Sequence, residues 1–176
     1  SIERRGQIIG RVCITERPQI VETRSRIGDW EADTVIGRQG GAVLVTLVER
    51  KSRFSLIIRA ENKTATAVSA AMTTAMSPHA AHVHTLTYDN GKEFAYHLKV
   101  SDELEAKGFF AHPYHSWERG LNENTNGLIR QYLPKGKSFD DLTDQDVVDI
   151  MDRLNNRPRK CLGFRTPNEV FRKDKS

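Results

Sequence analysis

The first strong pattern along the chain is a set of three short segments rich in β-branched and other apolar residues. The pattern predicts β-strands at Trp30–Ile36, Ala42–Val48 and Arg53–Arg59, separated by a glycine-rich turn and a charged turn. These gaps are too short for a helical crossover, so we expect an antiparallel meander.

Further along, apolar residues recur at helical spacing, and two more β-like segments interrupt them. Helices are predicted at Thr64–Met76, Glu93–Lys107, Trp117–Gly136 and Thr143–Asn155, with a short one starting near Thr166. Strands are predicted at His82–Tyr88 and Gly108–His112. This β-β-β-α-β-α-β-α-α order predicts an α/β fold with a five-stranded mixed sheet and helices on both of its faces.

The length of 176 residues fits one domain. We predict a core over residues 28–171 and a C-terminal tail over 172–176. Residues 1–27 carry six arginines without sustained periodicity, so they are predicted to form either a basic arm that lies on the domain or a partner, or a solvated linker.

The sequence predicts a cytoplasmic protein. No apolar run approaches the roughly 18 residues of a membrane span, and the polar start is unlike a signal peptide. Cys13 and Cys161 have neither CxxC spacing nor the count of a disulfide framework, so reduced thiols are expected. The net charge of +4 is a surplus that suits nucleic acid without requiring it, and its basic residues are clustered.

Three carboxylates stand out against this framework. Asp33 lies in the middle of a strand, where an acid opposes local propensity, and Asp89 ends the fourth strand in an Asp-Asn-Gly turn. Glu123 lies on the polar face of the Trp117–Gly136 helix. Three close carboxylates need divalent cations to neutralise them, and hard oxygen ligands favour Mg²⁺ or Mn²⁺. Two such ions support phosphodiester chemistry, although spacing alone does not single out this triple among 23 acids.

The same helix has a clear division of faces. Its polar face is predicted to carry Glu123, Asn126, Gly127 and Arg130. Its apolar face is predicted to carry Leu121, Leu128, Ile129 and Tyr132. By itself this pattern also fits an ordinary amphipathic surface helix.

Several long motifs resemble a known family. They are GDWEADTVIG from Gly28, TYDNGKEF from Thr87, ENTNGLIRQYLPKG from Glu123 and NNRPRKCLGFRTPNEVF from Asn155. With 33 residues between Asp89 and Glu123, the chain resembles the DDE catalytic domain of insertion-sequence transposases, and within them most resembles the IS30 family, over residues 5–171.

This resemblance implies a ribonuclease H-like fold of the retroviral integrase superfamily, with the catalytic and metal-binding triad at Asp33, Asp89 and Glu123. It implies Mg²⁺-dependent cleavage at element ends and transfer of the 3′-hydroxyl into target DNA. It also implies at least a dimer on DNA, in a bacterial cytoplasm, associated with the nucleoid when DNA is bound.

Further residues are predicted to contact DNA. Arg130 matches the basic residue that such transposases carry two turns after the glutamate, and it would hold a phosphate. The other candidates are Asn90, Lys92, Arg119, Asn126, Lys135 and Lys137, each of which is explained equally well as a turn, cap or solvated surface residue. Trp117 is predicted to anchor the helix, with stacking on a base as the alternative.

Some ionisable residues are excluded from the predicted site. Glu31 shares the strand face of Asp33, but the family pattern assigns the acid to Asp33. Glu93 is interpreted as helix N-terminal charge. The pairs His82/His84 and His112/His115 lack cysteines at ligand spacing, so no structural zinc site is predicted, although His115 is a weak candidate for substrate contact.

Two alternatives share these observations: a ribonuclease H-like nuclease without strand transfer, and a non-catalytic DNA-binding module. The family also implies a helix-turn-helix region that recognises element ends. Nothing here has that pattern, so we expect a catalytic-core fragment without sequence-specific end recognition.

Overall fold

In the computed structural model, the described residues are 8–113, 115, 118 and 120–175. The strands are β1 (Asp29–Ile36), β2 (Val43–Glu49), β3 (Ser55–Ala60), β4 (Thr85–Tyr88) and β5 (Lys107–Phe110). The helices are α1 (Gln19–Thr23), α2 (Ala65–Met76), α3 (His97–Leu104), α4 (Gly120–Arg130), α5 (Asp144–Asn155) and α6 (Pro167–Lys175). No helix in the described part of the chain is long and apolar enough to cross a membrane.

The five strands form one mixed sheet in the order β3-β2-β1-β4-β5. β1, β2 and β3 pair antiparallel, whereas β4 pairs parallel with both β1 and β5. The predicted sheet is therefore confirmed, because short turns join the antiparallel strands and α2 and α3 supply the crossovers that parallel pairing requires.

Apolar residues fill both faces of the sheet. Trp30 and Ala32 of β1 belong to the core that includes α2 and α3, whereas Val35 belongs to the core beneath α4 and α5. Successive side chains of a strand point to opposite faces, so Asp33 shares the face of Val35. This alternation directs the Asp33 side chain towards α4.

Some element boundaries differ from the predictions. The 3₁₀ helix Ser77–His82 precedes β4, which therefore begins at Thr85 rather than His82. The helix predicted from Glu93 is divided into the 3₁₀ helix Lys92–Phe94 and α3, which ends at Leu104 because Glu105 adopts a left-handed backbone. The described part of the long predicted helix spans Gly120–Arg130.

The described part of the N-terminal segment packs on the domain. Cys13 forms a parallel bridge with Phe110, and the amide of Phe110 donates to the Val12 carbonyl at 2.8 Å. Val21 is fully buried, and the Arg17 guanidinium donates to the Thr87 hydroxyl at 2.9 Å. The segment thus covers part of the β5 edge, which would otherwise present unpaired backbone groups.

Candidate active site

Asp33 lies on the half-buried stretch of β1 that faces α4. Its Oδ2 accepts a hydrogen bond from Nδ2 of Asn126 at 3.0 Å, and its Oδ1 accepts one from the backbone amide of Thr34 at 2.8 Å. The Asn126 contact joins strand β1 to the face of α4 that carries Glu123. Asn126, considered above as a DNA contact, is therefore positioned in this structure to orient the Asp33 carboxylate.

Asp89 directly follows β4, the strand parallel to β1. Glu31 pairs with Thr87, and Asp33 and Asp89 each lie two residues further along their strands. Because the two strands run in the same direction, both acids lie towards the C-terminal end of the parallel strands. The Asp89 carboxylate accepts from the amide of Gly91 at 2.8 Å, so the Asp-Asn-Gly turn fixes its orientation.

Glu123 is exposed on α4, one helical turn before Asn126 and therefore on the same face. The helix packs against β1 and β2. Among the described residues, the three predicted catalytic acids do not form a group whose ligand atoms all lie within 4.8 Å of one another. The structure thus places Asp33 within β1 and Asp89 just after β4, at matching positions of two neighbouring parallel strands, with Glu123 on the helix that packs against β1.

Glu93 lies closer to this site than its interpretation as helix charge suggested. It is buried at 5% exposure and pairs with the Lys63 ammonium at 3.5 Å. Burial raises the pKa of Glu93, Lys63 opposes that rise, and the charge of Asp89 adds to it. In the sequence, the spacing of four residues between Asp89 and Glu93 indicates this proximity, because a turn after Asp89 returns the chain towards the Asp89 carboxylate.

Glu31, the other acid on the Asp33 face, is occupied elsewhere. It is fully buried, and its Oε2 accepts from Nη1 of Arg50 at 2.7 Å. Arg50 also donates to the Val21 carbonyl at 3.2 Å. Glu31 therefore holds the N-terminal segment and the β2–β3 turn together rather than facing the strand ends.

The predicted DNA contacts have different surroundings. Arg130 donates to the carbonyl of Ile36 at 2.7 Å and packs over the Phe139 ring, so it ties the end of α4 to the end of β1. The Asn90 amide donates to the Ala111 carbonyl and accepts from Arg11. Lys92, Lys135 and Lys137 are exposed. Arg119 and Trp117 lie outside the described residues.

Two histidines and a glutamate form a separate cluster where the chain leaves β5. Nδ1 of His112 lies 3.1 Å from the Glu118 carboxylate, and Nδ1 of His115 lies 3.3 Å from it. On its other side, Nε2 of His112 lies 3.3 Å from Sγ of Cys13. In the described part of the chain this is the one group of three potential ligands within 4.8 Å, and hydrogen bonding already accounts for its contacts.

Comparison with curated proteins identified close relatives. The chain is 49% identical over 168 residues to the transposase for insertion sequence element IS4351 of Bacteroides fragilis, covering 96% of this chain and 52% of that protein. It is 39% identical over 165 residues to the transposase InsI for element IS30A of Escherichia coli K12, covering 93% of this chain and 43% of that protein. The chain therefore spans about half the length of these relatives. No protein-family model matches it.

Comparison with solved structures identified the fold. A chain of the simian T-cell lymphotropic virus intasome, solved with PP2A regulatory subunit B56 gamma, superposes with a TM-score of 0.66 at 19% identity, over 83% of this chain and 54% of that one. The HTLV-2 integrase catalytic core domain, solved with magnesium, superposes with a TM-score of 0.62 at 19% identity, over 83% and 97%. The fold is that of integrase catalytic cores, which is ribonuclease H-like.

Proposed function

We propose that this chain, which belongs to the IS30 family of insertion-sequence transposases, is the catalytic core that cleaves and joins DNA in transposition. In this proposal the core cuts phosphodiester bonds at element ends and transfers the 3′-hydroxyl into target DNA. The observation that carries it is that Asp33 and Asp89 occupy matching positions of two neighbouring parallel strands, beside the α4 face that presents Glu123.

The residues at these strand ends fit a divalent cation. Asp33 and Asp89 offer carboxylate oxygens, and Oδ1 of Asn126 is buried without a hydrogen-bond partner among the described residues. Hard oxygen ligands of this kind suit Mg²⁺ or Mn²⁺. We propose two ions, held by Asp33, Asp89 and Glu123, which when bound supply the positive charge that favours attack on a phosphodiester. The solved HTLV-2 integrase core in complex with magnesium supports a divalent metal in this fold.

Within this proposal, the protein positions the metal-binding carboxylates and forms no covalent bond with the DNA. Asn126 holds the Asp33 carboxylate, and the turn at Gly91 holds that of Asp89. Glu123 is exposed, so a rotation of its side chain or a small shift of α4 can bring it to the other acids once their charge is neutralised. The basic candidates Lys92, Lys135 and Lys137 would attract the DNA backbone, and Arg130 would supply free guanidinium donors to a phosphate.

We further propose that the protein acts on DNA as at least a dimer, inside a bacterial cell. Its curated relatives are transposases. The HTLV-2 integrase core has been solved in dimeric and trimeric forms, which supports self-association in this fold.

The proposal is tested with labelled DNA that carries the ends of the element, incubated with the protein and Mg²⁺, Mn²⁺ or EDTA. Metal-dependent cleavage followed by joining is expected. Asp33→Asn, Asp89→Asn and Glu123→Gln should each lower the rate at least about a thousandfold while the variants remain folded, because each removes a charged ligand.

Two results would contradict parts of the proposal. Cleavage that Glu123→Gln leaves undiminished would remove Glu123 from the mechanism. Metal-dependent hydrolysis without any joined product would favour a ribonuclease H-like nuclease over a transposase. Because the chain spans about half of its relatives, the joining assay should also be run with a full-length relative as a positive control.

A further inference from the structure

Three arginines from distant parts of the sequence line one cavity beside the start of α4. The cavity has a volume of about 370 Å³. The arginines are Arg24, Arg53 and Arg159, and the remaining wall is formed by Gly120, Leu121, Asn124 and Cys161. None of these lining residues is acidic. A cavity with three guanidinium groups and no carboxylate has an excess of positive charge that an anion would neutralise.

The charge of this cluster is incompletely compensated. In the described part of the chain, Arg24 and Arg53 form no ion pair within 4.0 Å, while other arginines such as Arg50 do. The Nε atoms of Arg53 and Arg159 are buried and have no hydrogen-bond partner among the described residues. Buried donors without an acceptor are costly, so they indicate a missing ligand, water or ion.

Like charges also act on one another here. Burial lowers the pKa of Arg24 and the nearby charge of Arg53 lowers it further, while smaller effects of the Glu31 and Glu22 carboxylates oppose this shift. Burial likewise lowers the pKa of Arg159, with smaller contributions from Arg157 and Arg53. Arginine side chains carry a positive charge at neutral pH. The fold therefore holds three cations together against their repulsion.

The backbone at two of these arginines is also unusual. Arg24 caps the C-terminus of α1 with a φ of 51°, and Arg53 lies in the turn between β2 and β3 with a φ of 65°. Residues other than glycine rarely adopt this left-handed conformation, and where they do the surrounding structure must enforce it. Such backbone positions are concentrated at ligand-binding and active sites.

We propose that this cavity binds a backbone phosphate of the DNA strand that is processed at α4. Guanidinium groups bind phosphate oxygens through paired, charge-assisted hydrogen bonds, which would satisfy the unpartnered Nε donors. Asn124 lines the cavity and directly follows Glu123, so a strand anchored there would pass beside the predicted catalytic glutamate. This inference rests on the proposed action on DNA and adds a second anchoring point outside the carboxylate site.

The first test compares DNA affinity at several salt concentrations, using fluorescence anisotropy of a labelled duplex. Arg24→Gln and Arg159→Gln should each weaken binding about tenfold and lower the slope of log K against log salt by about 0.9, the value for one lost phosphate contact. Arg172→Gln is the matched control, because it removes the same charge from an exposed position on α6. Salt slopes equal to that of Arg172→Gln would overturn the inference.

The second test uses Cys161, which is exposed and lines the cavity. In a Cys13→Ser background, DNA should slow alkylation of Cys161 several-fold, and Arg159→Gln should abolish this protection. Inorganic phosphate at the same ionic strength should protect far less, because it lacks the rest of the strand. Protection by free phosphate equal to that by DNA would identify a general anion site and overturn the assignment to DNA.

These measurements separate failure of this inference from failure of the proposed function. If the parent protein cleaves element-end DNA but neither the salt slopes nor Cys161 protection depends on Arg159, the cavity inference is wrong and the function stands. If the parent does not cleave DNA but Cys161 protection by DNA depends on Arg159, the cavity binds DNA and the catalytic proposal fails.

Discussion

Nδ2 of Asn126 on α4 donates a hydrogen bond to Oδ2 of Asp33 on β1 over 3.0 Å. This contact links the helix that carries Glu123 to the strand that carries the first acid. Oδ1 of Asn126, the other end of the same amide, is buried without a partner among the described residues. The amide is therefore placed to orient the Asp33 carboxylate, and its oxygen has the capacity to accept one further hydrogen bond.

Asn126→Ala should weaken metal binding at the site more than it lowers the stability of the protein. Loss of a residue that orients a metal ligand typically costs about 10–100-fold in metal affinity or activity. We expect the Mg²⁺ concentration for half-maximal cleavage to rise by about that factor. Asn168→Ala is the matched control, because it removes an amide hydrogen bond of 2.8 Å on the surface of α6. An unchanged Mg²⁺ requirement in Asn126→Ala would show that this amide does not support the site.

Glu93 gives a prediction about stability and pH. Burial raises its pKa above the ordinary value of 4.5, so the folded protein holds this proton more tightly than the unfolded chain. The stability that comes from protonated Glu93 is complete below about pH 4.5 and is lost as pH rises through the folded-state pKa. Glu93→Gln resembles the protonated form. The free energy of unfolding of Glu93→Gln, measured in urea, should therefore increase relative to that of the parent as pH rises from about 4 to 7.

Glu103→Gln controls for the pH series, since Glu103 is exposed on α3. The difference in free energy of unfolding between Glu103→Gln and the parent should show no comparable change with pH. The free energy of unfolding of Glu93→Gln minus that of the parent could instead fall or stay constant with rising pH. In that case the Lys63 pair outweighs burial and the predicted direction is wrong.

Removal of one partner of the buried pair Glu31–Arg50 should destabilise the protein. Both side chains are at most 5% exposed, and the bond is 2.7 Å. Arg50→Met leaves a buried carboxylate without its main partner, which should cost about 3–5 kcal/mol of unfolding free energy in urea. The double variant Glu31→Gln/Arg50→Met should recover much of this loss. A double variant as unstable as the sum of the two single changes would argue against coupling between these residues.

The sequence predicted the sheet and the strand face of Asp33 because those features depend on local patterns. Alternation along β1 separates Asp33 from Trp30 and Ala32, and short turns distinguish antiparallel pairs from crossovers. The helix predicted over Thr143–Asn155 is likewise present as α5, where Thr143 and Asp146 form a reciprocal capping box.

Other features depend on contacts that no local pattern records. Asn122 and Thr125 are buried on α4, although their polarity suggests an exposed face. The cavity lined by Arg24, Arg53 and Arg159 joins residues up to 135 positions apart, so each looked like an ordinary basic surface residue in the sequence. The placement of α4 over β1 and β2 is also set by packing, since Ile129 shares a core with Val35 rather than with β4.

Gly127 of α4 should tolerate a side chain, and stability should increase. A Cβ built there meets no atom within 4 Å, and the residue lies inside the helix with ordinary backbone angles. Alanine reduces the freedom of the unfolded chain and favours helix, so Gly127→Ala should add about 0.5–1 kcal/mol to the free energy of unfolding in urea. Gly163 is the matched control, because a Cβ there also meets open space but its φ is +64°. Gly163→Ala should therefore destabilise the protein by about 1 kcal/mol. Destabilisation by Gly127→Ala would contradict a regular helix at this position, and with it the placement of Glu123 and Asn126 on one face.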